Sequence, residues 1–391
     1  MSVDRYDVVV AGGGLPGLAL ARALAMERLR VAIVDRAQID VPMTDERTWD
    51  ARVYAVSPGS AGFLESIGAW PSDASSRVQA IESMRVEGDR GAVMSFSAYE
   101  MGERALAWIV EERVLRAALV RSVVDSSVEI VAPARFAALG FAPDAATLSL
   151  DGGRVLEANL VVGADGIRSW VREAAGIVVQ PRDYGQTAVV ANFACERRHR
   201  GCARQWFRRD GGVLAWLPLA GDRISIVWSA PRELADSLMR DDAAVLATRV
   251  ADAGGHSLGA LDSITAAAAF PLSYLRLPSM IAHRMALVGD AAHGIHPLAG
   301  QGVNLGFGDA QALRDVLAQR GPIGDAGASM LLERYATRRA EPVFAVQAVT
   351  DGLSRLFGMR SSVVGNLRNL GLAALDRVPF AKHWLAQPAL R

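Results

Sequence analysis

The residues best suited to chemistry begin near the N-terminus, in a turn rich in glycine. The turn fits the spacing G-x-G-x-x-G and consists of Gly12, Gly13, Gly14, Leu15, Pro16 and Gly17. In such a turn the free N–H groups and the dipole of a helix stabilise a pyrophosphate, and the missing side chains allow close backbone approach. Asp35 ends the next apolar run, where a carboxylate can bind ribose hydroxyls. The pattern predicts a dinucleotide site, and the alternative is a glycine turn beside a surface carboxylate.

Two later segments also place glycine and a carboxylate directly after an apolar run. The first contains Asp165 and Gly166, and the second begins with Gly289 and Asp290. The second continues past a histidine pair to a glycine-rich run made of Gly300, Gln301, Gly302, Val303 and Asn304. A chain that returns three times to one dinucleotide suits a long and permanently held cofactor, so we expect FAD. No second G-x-G-x-x-G follows a strand in the sequence, which argues against a separate nicotinamide domain.

Buried strands and helices must position these turns. Residues 6–11 form a short apolar run typical of a buried parallel strand, residues 15–27 have helical spacing, and residues 30–34 form a second apolar run. This strand–turn–helix–strand unit is the first half of a doubly wound nucleotide-binding fold. We expect residues 285–289 and 303–319 to return to that fold as a strand and a helix.

The pattern of apolar and polar residues changes in the second half of the sequence. Residues 187–270 contain short, aromatic, β-rich runs, with one helix expected at 233–253. We therefore expect an α/β protein with a Rossmann-like FAD-binding domain formed by residues 1–75, 100–185 and 280–330. A second domain, with a mainly antiparallel β-sheet that binds substrate, would comprise 76–99 and 186–279, followed by a C-terminal helical region at 331–391. Pro342, Gly358, Gly365, Gly371 and Pro379 are expected to break that region into several helices.

The β-rich region also holds the candidates for a substrate cavity. Aromatic and apolar residues cluster on two of its runs, namely Trp206, Phe207, Leu214, Trp216 and Pro218. We expect these residues to line the cavity beside the cofactor, with ordinary core packing as the alternative.

Composition excludes several other classes of protein. The 391 residues include 42 basic and 42 acidic side chains, and this balance argues against a nucleic-acid binder. Cys195, Cys202 and His199 lack the spacing of zinc ligands, so we expect no metal site. No apolar run is long enough to span a bilayer, and the N-terminus does not resemble a signal peptide. We expect a cytoplasmic protein, with attachment at the inner face of the membrane left open.

The three glycine–carboxylate segments together resemble those of the group A flavin monooxygenases, the p-hydroxybenzoate hydroxylase type. The resemblance implies that Asp290 holds the ribityl chain and that Gly302, Val303 and Asn304 lie against the pyrimidine edge of the flavin. A helix N-terminus at that edge would stabilise the negative charge of reduced flavin. Asp165 and Gly166 resemble the family's motif for FAD and nicotinamide binding. The expected FAD contacts are completed by Arg36, Arg52 and Arg113, and for the last two a surface salt bridge is the alternative.

Finer matches point to the ubiquinone-biosynthesis hydroxylases. Residues 50–57, 64–70, 108–115 and 296–306 resemble that branch, and residues 350–357 and 367–371 match it more specifically. Glu112 stands where the branch usually has Asn, and Asp290 where Asn also occurs, so the ring position stays open. The resemblance implies that a lipophilic phenol, a polyprenylated phenol or benzoquinol, is hydroxylated with O2 and NAD(P)H.

The chemistry implied by this resemblance sets demands on the protein. NAD(P)H reduces FAD, reduced FAD activates O2 for attack on an electron-rich ring, and the protein must exclude water. We expect His296 and Pro297 near the reactive face of the flavin. His296 would steer a phenol proton, with a structural role as the alternative, whereas His293 is expected to be structural.

Other readings of the same sequence stay open. The chain could hydroxylate a small soluble phenol, or be a catalytically idle flavoprotein scaffold in a biosynthetic complex. A flavin halogenase is disfavoured because residues 215–218 do not supply its W-x-W-x-I-P motif. Other ubiquinone-biosynthesis proteins are expected partners. The basic and apolar tail at 352–391 suits a membrane surface or a protein partner, with a helical cap as the alternative, and homo-oligomerisation is left open.

Overall fold

The computed structural model describes residues 3–42, 47–71, 76–210, 212–296, 300–321, 324–358 and 369–370. In chain order its helices and strands are β1 (Val3–Ala11), α1 (Leu15–Met26), β2 (Val31–Val34), β3 (Val53–Val56), α2 (Pro58–Ser66), β4 (Val78–Ile81), β5 (Ser83–Glu87), β6 (Val93–Ser97), α3 (Ala98–Met101), β7 (Ala107–Glu111), α4 (Glu112–Val124), β8 (Glu129–Val131), β9 (Phe136–Phe141), β10 (Ala146–Leu150), β11 (Val155–Gly163), α5 (Trp170–Ala174), β12 (Arg182–Cys195), β13 (Cys202–Phe207), β14 (Val213–Leu219), β15 (Arg223–Pro231), α6 (Arg232–Arg240), α7 (Ala243–Ala253), β16 (Leu261–Ser263), β17 (Ala268–Arg276), β18 (Ile281–Ala282), β19 (Met285–Leu287), a short 3-10 helix (Gly289–Ala291), β20 (His293–Gly294), α8 (Gln301–Ala318) and α9 (Ser329–Gly358).

The first sheet carries the glycine-rich turn. Its strands run in the order β18–β19–β11–β1–β2–β8, and every neighbouring pair from β19 to β8 is parallel. Successive side chains of a strand point to opposite faces, so Val8 and Val10 pack against α1, α4 and α8, whereas Val9 and Ala11 pack towards the β9–β10 hairpin. Because both faces are covered there, residues 8–11 of β1 are a continuous apolar run, which is why the sequence predicted the strand.

The second sheet is mainly antiparallel. Its strands run in the order β20–β17–β12–β15–β14–β13–β5–β6, and only the β13–β5 pair is parallel among the described residues. A small sheet of β3, β7 and β4 lies between the two. The expected combination of a Rossmann-like fold with an antiparallel sheet is confirmed, and the domain boundaries stay a prediction.

Two helix expectations were wrong. The helix expected at 233–253 is two helices, because the Asp242 carboxylate accepts a hydrogen bond from the backbone N–H of Val245 at 2.9 Å and begins α7 anew. In the C-terminal region α9 continues through Pro342 without a break. Contacts on both sides of Pro342 hold that helix, since Arg339 binds Asp309 and Gln347 donates to the Leu275 carbonyl at 2.7 Å.

Three of the expected helix breaks lie further along the C-terminal region. Gly365, Gly371 and Pro379 lie outside the described residues. In the part of the chain that the structure describes, no helix is long and apolar enough to cross a membrane.

Candidate active site

The glycine turn has the backbone geometry that its spacing predicts. Gly12 has φ +121°, and a Cβ there would lie 2.3 Å from the Ala164 carbonyl oxygen, so the turn packs directly on the end of β11. A Cβ on Gly17 would lie 2.0 Å from the Gly12 carbonyl oxygen, which explains the third glycine. At Gly14 a Cβ would meet only Ala164 O, at 4.0 Å, so a phosphate could approach the backbone there.

Asp35 and Arg116 brace this turn. The Asp35 carboxylate accepts hydrogen bonds from the backbone N–H of Gly13 at 2.6 Å and of Ala37 at 2.7 Å. Arg116 on α4 donates to the Gly13 carbonyl at 2.7 Å, a contact that the sequence analysis missed. Arg36 is exposed at the end of β2. The assignment of Asp35 to the ribose and that of Arg36 to the cofactor stay predictions.

The structure brings the three glycine–carboxylate segments together. The Pro16 ring lies so close to the third segment that a Cβ on Gly289 would be 3.2 Å from its Cγ, and a Cβ on Gly306 would be 2.7 Å from it. The second segment meets the first at Ala164, against Gly12. Leu15 is buried beneath them. One dinucleotide could therefore touch all three turns.

Asp165 has an unsatisfied oxygen. Its Oδ2 accepts from the backbone N–H groups of Trp170 at 2.7 Å and Val171 at 3.1 Å, whereas its buried Oδ1 has no partner among the described residues. Burial raises the pKa of the Asp165 carboxyl, and the Ser169 hydroxyl and then the backbone donors oppose that rise. Gly166 follows with φ +84°. An orphaned buried acceptor beside a turn is what a missing ligand hydroxyl or amide would satisfy.

Asp290 lies in the short 3-10 helix that follows β19. Its side chain is accessible to solvent, but many protein atoms lie around it. The desolvation that they cause raises the pKa of the Asp290 carboxyl. His293 and Arg52 oppose the rise with positive charge. The buried Arg172 links this turn to the Asp165 segment, because it donates to the carbonyls of Ala291 and Ile167, both at 2.9 Å.

The start of α8 is suited to binding an anion. Gly300 precedes the helix with φ +65°, and no side chain caps the helix in the described part of the chain. Val303 is buried, whereas a Cβ on Gly302 would meet nothing within 4 Å, which leaves room for a planar ring. The free N–H groups and dipole of this long helix favour negative charge. Gln301 lies in the same first turn.

The two arginines expected to contact FAD, Arg52 and Arg113, have different surroundings. Arg52 pairs with Glu112 at 3.1 Å and lies over the rings of Tyr54 and Phe270, at 5.4 and 5.3 Å. Arg113 pairs with the buried Glu111 at 3.1 Å and also donates to Thr48. The FAD contacts of both stay predictions.

His296 is buried against β12 of the second sheet. Its Nε2 lies 2.8 Å from Gln186 Oε1, so we assign the ring proton to Nε2 and leave Nδ1 as an acceptor without a partner in the described residues. The Tyr184 ring meets it edge-on, with centroids 5.0 Å apart. Burial lowers the pKa of His296 to about 4, partly opposed by the Asp351 carboxylate. Pro297 lies outside the described residues.

His293 has a structural setting. Its Nε2 lies 2.6 Å from Asp309 Oδ2, and Arg339 Nε lies 2.6 Å from Asp309 Oδ1. Asp309 also accepts from the backbone N–H of Gly289 at 2.9 Å. The ionic group thus ties α8 and α9 to the turn that carries Asp290.

The substrate candidates require a correction. Leu214 and Trp216 belong to the core that the second sheet forms with α6 and α7, Trp206 packs against Trp216 at 5.0 Å, and Pro218 shares their strand face. That face points away from the FAD-binding segments. Phe207 alone of the five candidates lies on the other face, stacked on Phe357 at 3.6 Å. The alternation of the strands, read together with the apolar α7, could have indicated this division.

The inner face, defined here as the face opposite α6 and α7, contacts the FAD-binding segments. Gln186 of this face binds His296, the Asn192 side chain donates to the Asp50 carbonyl at 2.7 Å, and Phe270 lies under Arg52. By strand register the face also includes Val190, Gln205, Ala215, Val227 and Ser229. The sequence analysis missed these residues.

Comparison with known proteins agrees with this geometry. Residues 5–350 match the family model described as FAD binding domain. The ubiquinone hydroxylase UbiL of Rhodospirillum rubrum is 34% identical, over 96% of this chain and 88% of that protein. The 3-demethoxyubiquinol 3-hydroxylase of Escherichia coli is also 34% identical, over 100% of both chains. The structure of P. aeruginosa PqsL in complex with 2-aminobenzoylacetate is 26% identical, with a TM-score of 0.79 over 93% of this chain and 100% of that chain.

Three turns that converge beside the N-terminus of α8, together with an antiparallel sheet, define the protein class as an FAD-dependent monooxygenase. Within that class the chain belongs to the family of FAD-dependent hydroxylases that includes the ubiquinone-biosynthesis enzymes named above. The open backbone at Gly14 and Gly302 and the orphaned Asp165 oxygen fit the cofactor.

Proposed function

We propose that this enzyme hydroxylates the ring of a polyprenylated phenol or benzoquinol in ubiquinone biosynthesis, using NAD(P)H and O2. The observation that carries the proposal is the contact between the inner face and the FAD-binding segments, at His296–Gln186 and at Arg52–Phe270. The full-length similarity to the Escherichia coli hydroxylase supports the choice of ring.

Each FAD-binding segment would hold a different part of the cofactor. We assign the pyrophosphate to Gly14, the ribityl chain to Asp290 and the pyrimidine edge to the first turn of α8. When bound, FAD supplies hydride acceptance and the activation of O2. The α8 N-terminus would stabilise negative charge on the ring system without any rearrangement.

The inner face would form the bed for the aromatic ring. Val190, Ala215 and Val227 offer an apolar surface, and Gln205 and Ser229 place polar groups among them. Such a mixture suits a phenol ring that carries oxygen substituents. The apolar residues also exclude water from the reacting atoms.

His296 would orient the ring. The low pKa keeps its imidazole neutral near pH 7, and Nδ1 then accepts a hydrogen bond. We assign to it the hydroxyl of the phenol, which it would hold without removing the proton completely. Asn304 would position the cofactor only through its backbone, because its side-chain amide is bonded to Ser57 and Ala55.

The test uses purified holoenzyme with NADH or NADPH and a series of phenols that differ in their prenyl chain. We expect reductant oxidation to be stimulated by polyprenylphenols, with one oxygen atom gained by the product in mass spectrometry. Turnover of short soluble phenols alone would overturn the assignment of substrate. Absence of stimulation by any phenol would favour a scaffold.

The ring position is open to a genetic test. The gene is supplied to strains that each lack one ring hydroxylation, and the quinone intermediate that disappears identifies the reaction. We further propose peripheral contact with a membrane, because a polyprenyl chain partitions into lipid. Sedimentation with phospholipid vesicles tests that contact, and recovery of all the protein in the supernatant would refute it.

A further inference from the structure

A pocket of about 350 Å³ lies outside the residues assigned above. It is lined by Trp49, Ser76, Arg77, Ala220, Gly221 and Arg223. Two of these residues are cations, and both guanidinium groups lie over the indole of Trp49, Arg77 at 4.0 Å and Arg223 at 5.2 Å from the ring centroid. A pocket with this composition is suited to an anionic ligand.

The two arginines differ in their partners. Arg77 is paired with the buried Glu111 at 2.9 Å. Arg223 is half-buried and donates to the Ala220 carbonyl at 3.2 Å, but within the described ranges it has no carboxylate partner. A partly buried guanidinium retains donors that match the oxygens of a phosphate group. Arg223 is therefore the residue in the pocket whose guanidinium is best suited to bind an anion.

Glu111 connects this pocket to the FAD-binding segments. Its carboxylate accepts from Arg77 at 2.9 Å and from the backbone N–H of Asp50 at 2.6 Å, and it pairs with Arg113 at 3.1 Å. Trp49 precedes Arg52 by three residues, so their Cα atoms are at most about 11 Å apart. An extended ligand with one end in the pocket could therefore reach the FAD-binding segments with its other end.

We infer that the Trp49–Arg77–Arg223 pocket binds a phosphate group of the nicotinamide dinucleotide during flavin reduction. Among the reactants, the phenol and O2 carry no phosphate, and the pyrophosphate of FAD belongs at Gly14. Of the reactants, only the dinucleotide carries phosphate groups that can pair with Arg223 and is also long enough to reach the flavin. The inference rests on the use of NAD(P)H in the proposed function, but not on the identity of the phenol.

The first experiment measures flavin reduction without oxygen. Holoenzyme and its R223A and R223Q variants are mixed anaerobically with NADPH or NADH, and the flavin absorbance is followed by stopped flow. We expect the half-saturating reductant concentration to rise about tenfold or more, as for loss of a charge-assisted hydrogen bond. Reduction by dithionite should be unchanged, because dithionite does not need the pocket. R223Q retains an N–H donor near Ala220 and guards against misfolding of R223A.

A matched control removes a neighbouring positive charge outside the pocket. Arg198 is 82% exposed and lies 3.7 Å from Asp222, the residue before Arg223. R198A should leave the half-saturating concentration within about twofold of wild type. An equal effect of R198A would overturn the inference, because it would indicate general attraction by surface charge.

A binding measurement supplies a readout independent of turnover. Calorimetric titration of the holoenzyme with NADP⁺, and then with inorganic pyrophosphate, should show weaker binding of both to R223A. If pyrophosphate binding depends on Arg223 but NADP⁺ binding and flavin reduction do not, the pocket is not a dinucleotide site. If reduction depends on Arg223 but no phenol is hydroxylated, the proposed substrate fails and this site stands.

Discussion

Asn304 in the first turn of α8 accepts, through Oδ1, a hydrogen bond from the backbone N–H of Ser57 at 3.0 Å. The same amide donates through Nδ2 to the Ala55 carbonyl at 2.9 Å. Ser57 in turn caps α2 by accepting from the backbone N–H of Ser60. One buried side chain therefore fixes the start of α8, expected beside the flavin, against the end of β3.

Asn304→Ala should weaken both the fold and the binding of FAD. The substitution removes the hydrogen bonds that Asn304 makes to the backbone of Ser57 and Ala55, which costs about 1–3 kcal/mol. We expect that loss in the free energy of unfolding of apoprotein in urea, with a higher dissociation constant for FAD. Gln311→Ala, which removes a half-buried amide farther along α8, is the control and should change neither quantity. Unchanged FAD affinity in Asn304→Ala would contradict this role.

Asp309→Asn should destabilise the turn that carries Asp290. Burial opposes ionisation, but His293 and Arg339 outweigh it and hold the pKa of Asp309 below its usual range. Removing the charge leaves Arg339 buried without its counter-ion, which costs about 3–5 kcal/mol. Urea unfolding and FAD titration measure the loss of stability and the loss of affinity.

The same substitution in a second arginine–aspartate pair gives the control for that prediction. Asp325 binds Arg284 at 2.7 Å and its side chain is 37% exposed. Asp325→Asn also removes the counter-ion of a buried arginine, so it should lower stability as well, but it should leave FAD affinity unchanged. Equal losses of FAD affinity in both variants would show that Asp309 has no special link to the cofactor.

The pKa of His296 predicts a particular dependence of stability on pH. Burial lowers this pKa to about 4, whereas an unfolded histidine titrates near ~6.5. Between those values the unfolded chain binds more protons, so stability should rise with pH across that window and level off above it. In His296→Gln this contribution disappears, and the two proteins should have parallel profiles above pH ~7. A wild-type profile with no His296-dependent slope below that pH would refute the low pKa.

Neighbouring residues on β14 should respond differently to substitution. Ala215 lies on the inner face and Trp216 in the core beneath α6 and α7. Ala215→Leu should raise the KM for the phenol about tenfold, because added methyl groups occupy the proposed ring bed. Trp216→Phe should instead lower the free energy of unfolding by about 1–3 kcal/mol with KM unchanged. A shift of KM in Trp216→Phe alone would reverse the assignment of the two faces.

The elements with a local signature were predictable from the sequence. The glycine turn, the apolar β1 and the Ser57 cap with Pro58 at the start of α2 each depend on residues close together in the chain. The break between α6 and α7 was missed although Asp242 is a good cap, because the apolar periodicity continues across it. The continuity of α9 through Pro342 could not be predicted, since distant partners of Arg339 and Gln347 hold the helix.

By itself the sequence determined a dinucleotide site, because phosphate recognition uses backbone geometry that glycine spacing specifies within one turn, and the two later glycine–carboxylate segments indicated FAD. Only the tertiary structure decided which face of the second sheet meets that cofactor. A strand offers two faces by alternation, and the packing of α6 and α7 on one of them leaves the other for the site. The position of Glu111 between Arg77 and Arg113 was decided in the same way, since its partners come together only when the strands pair.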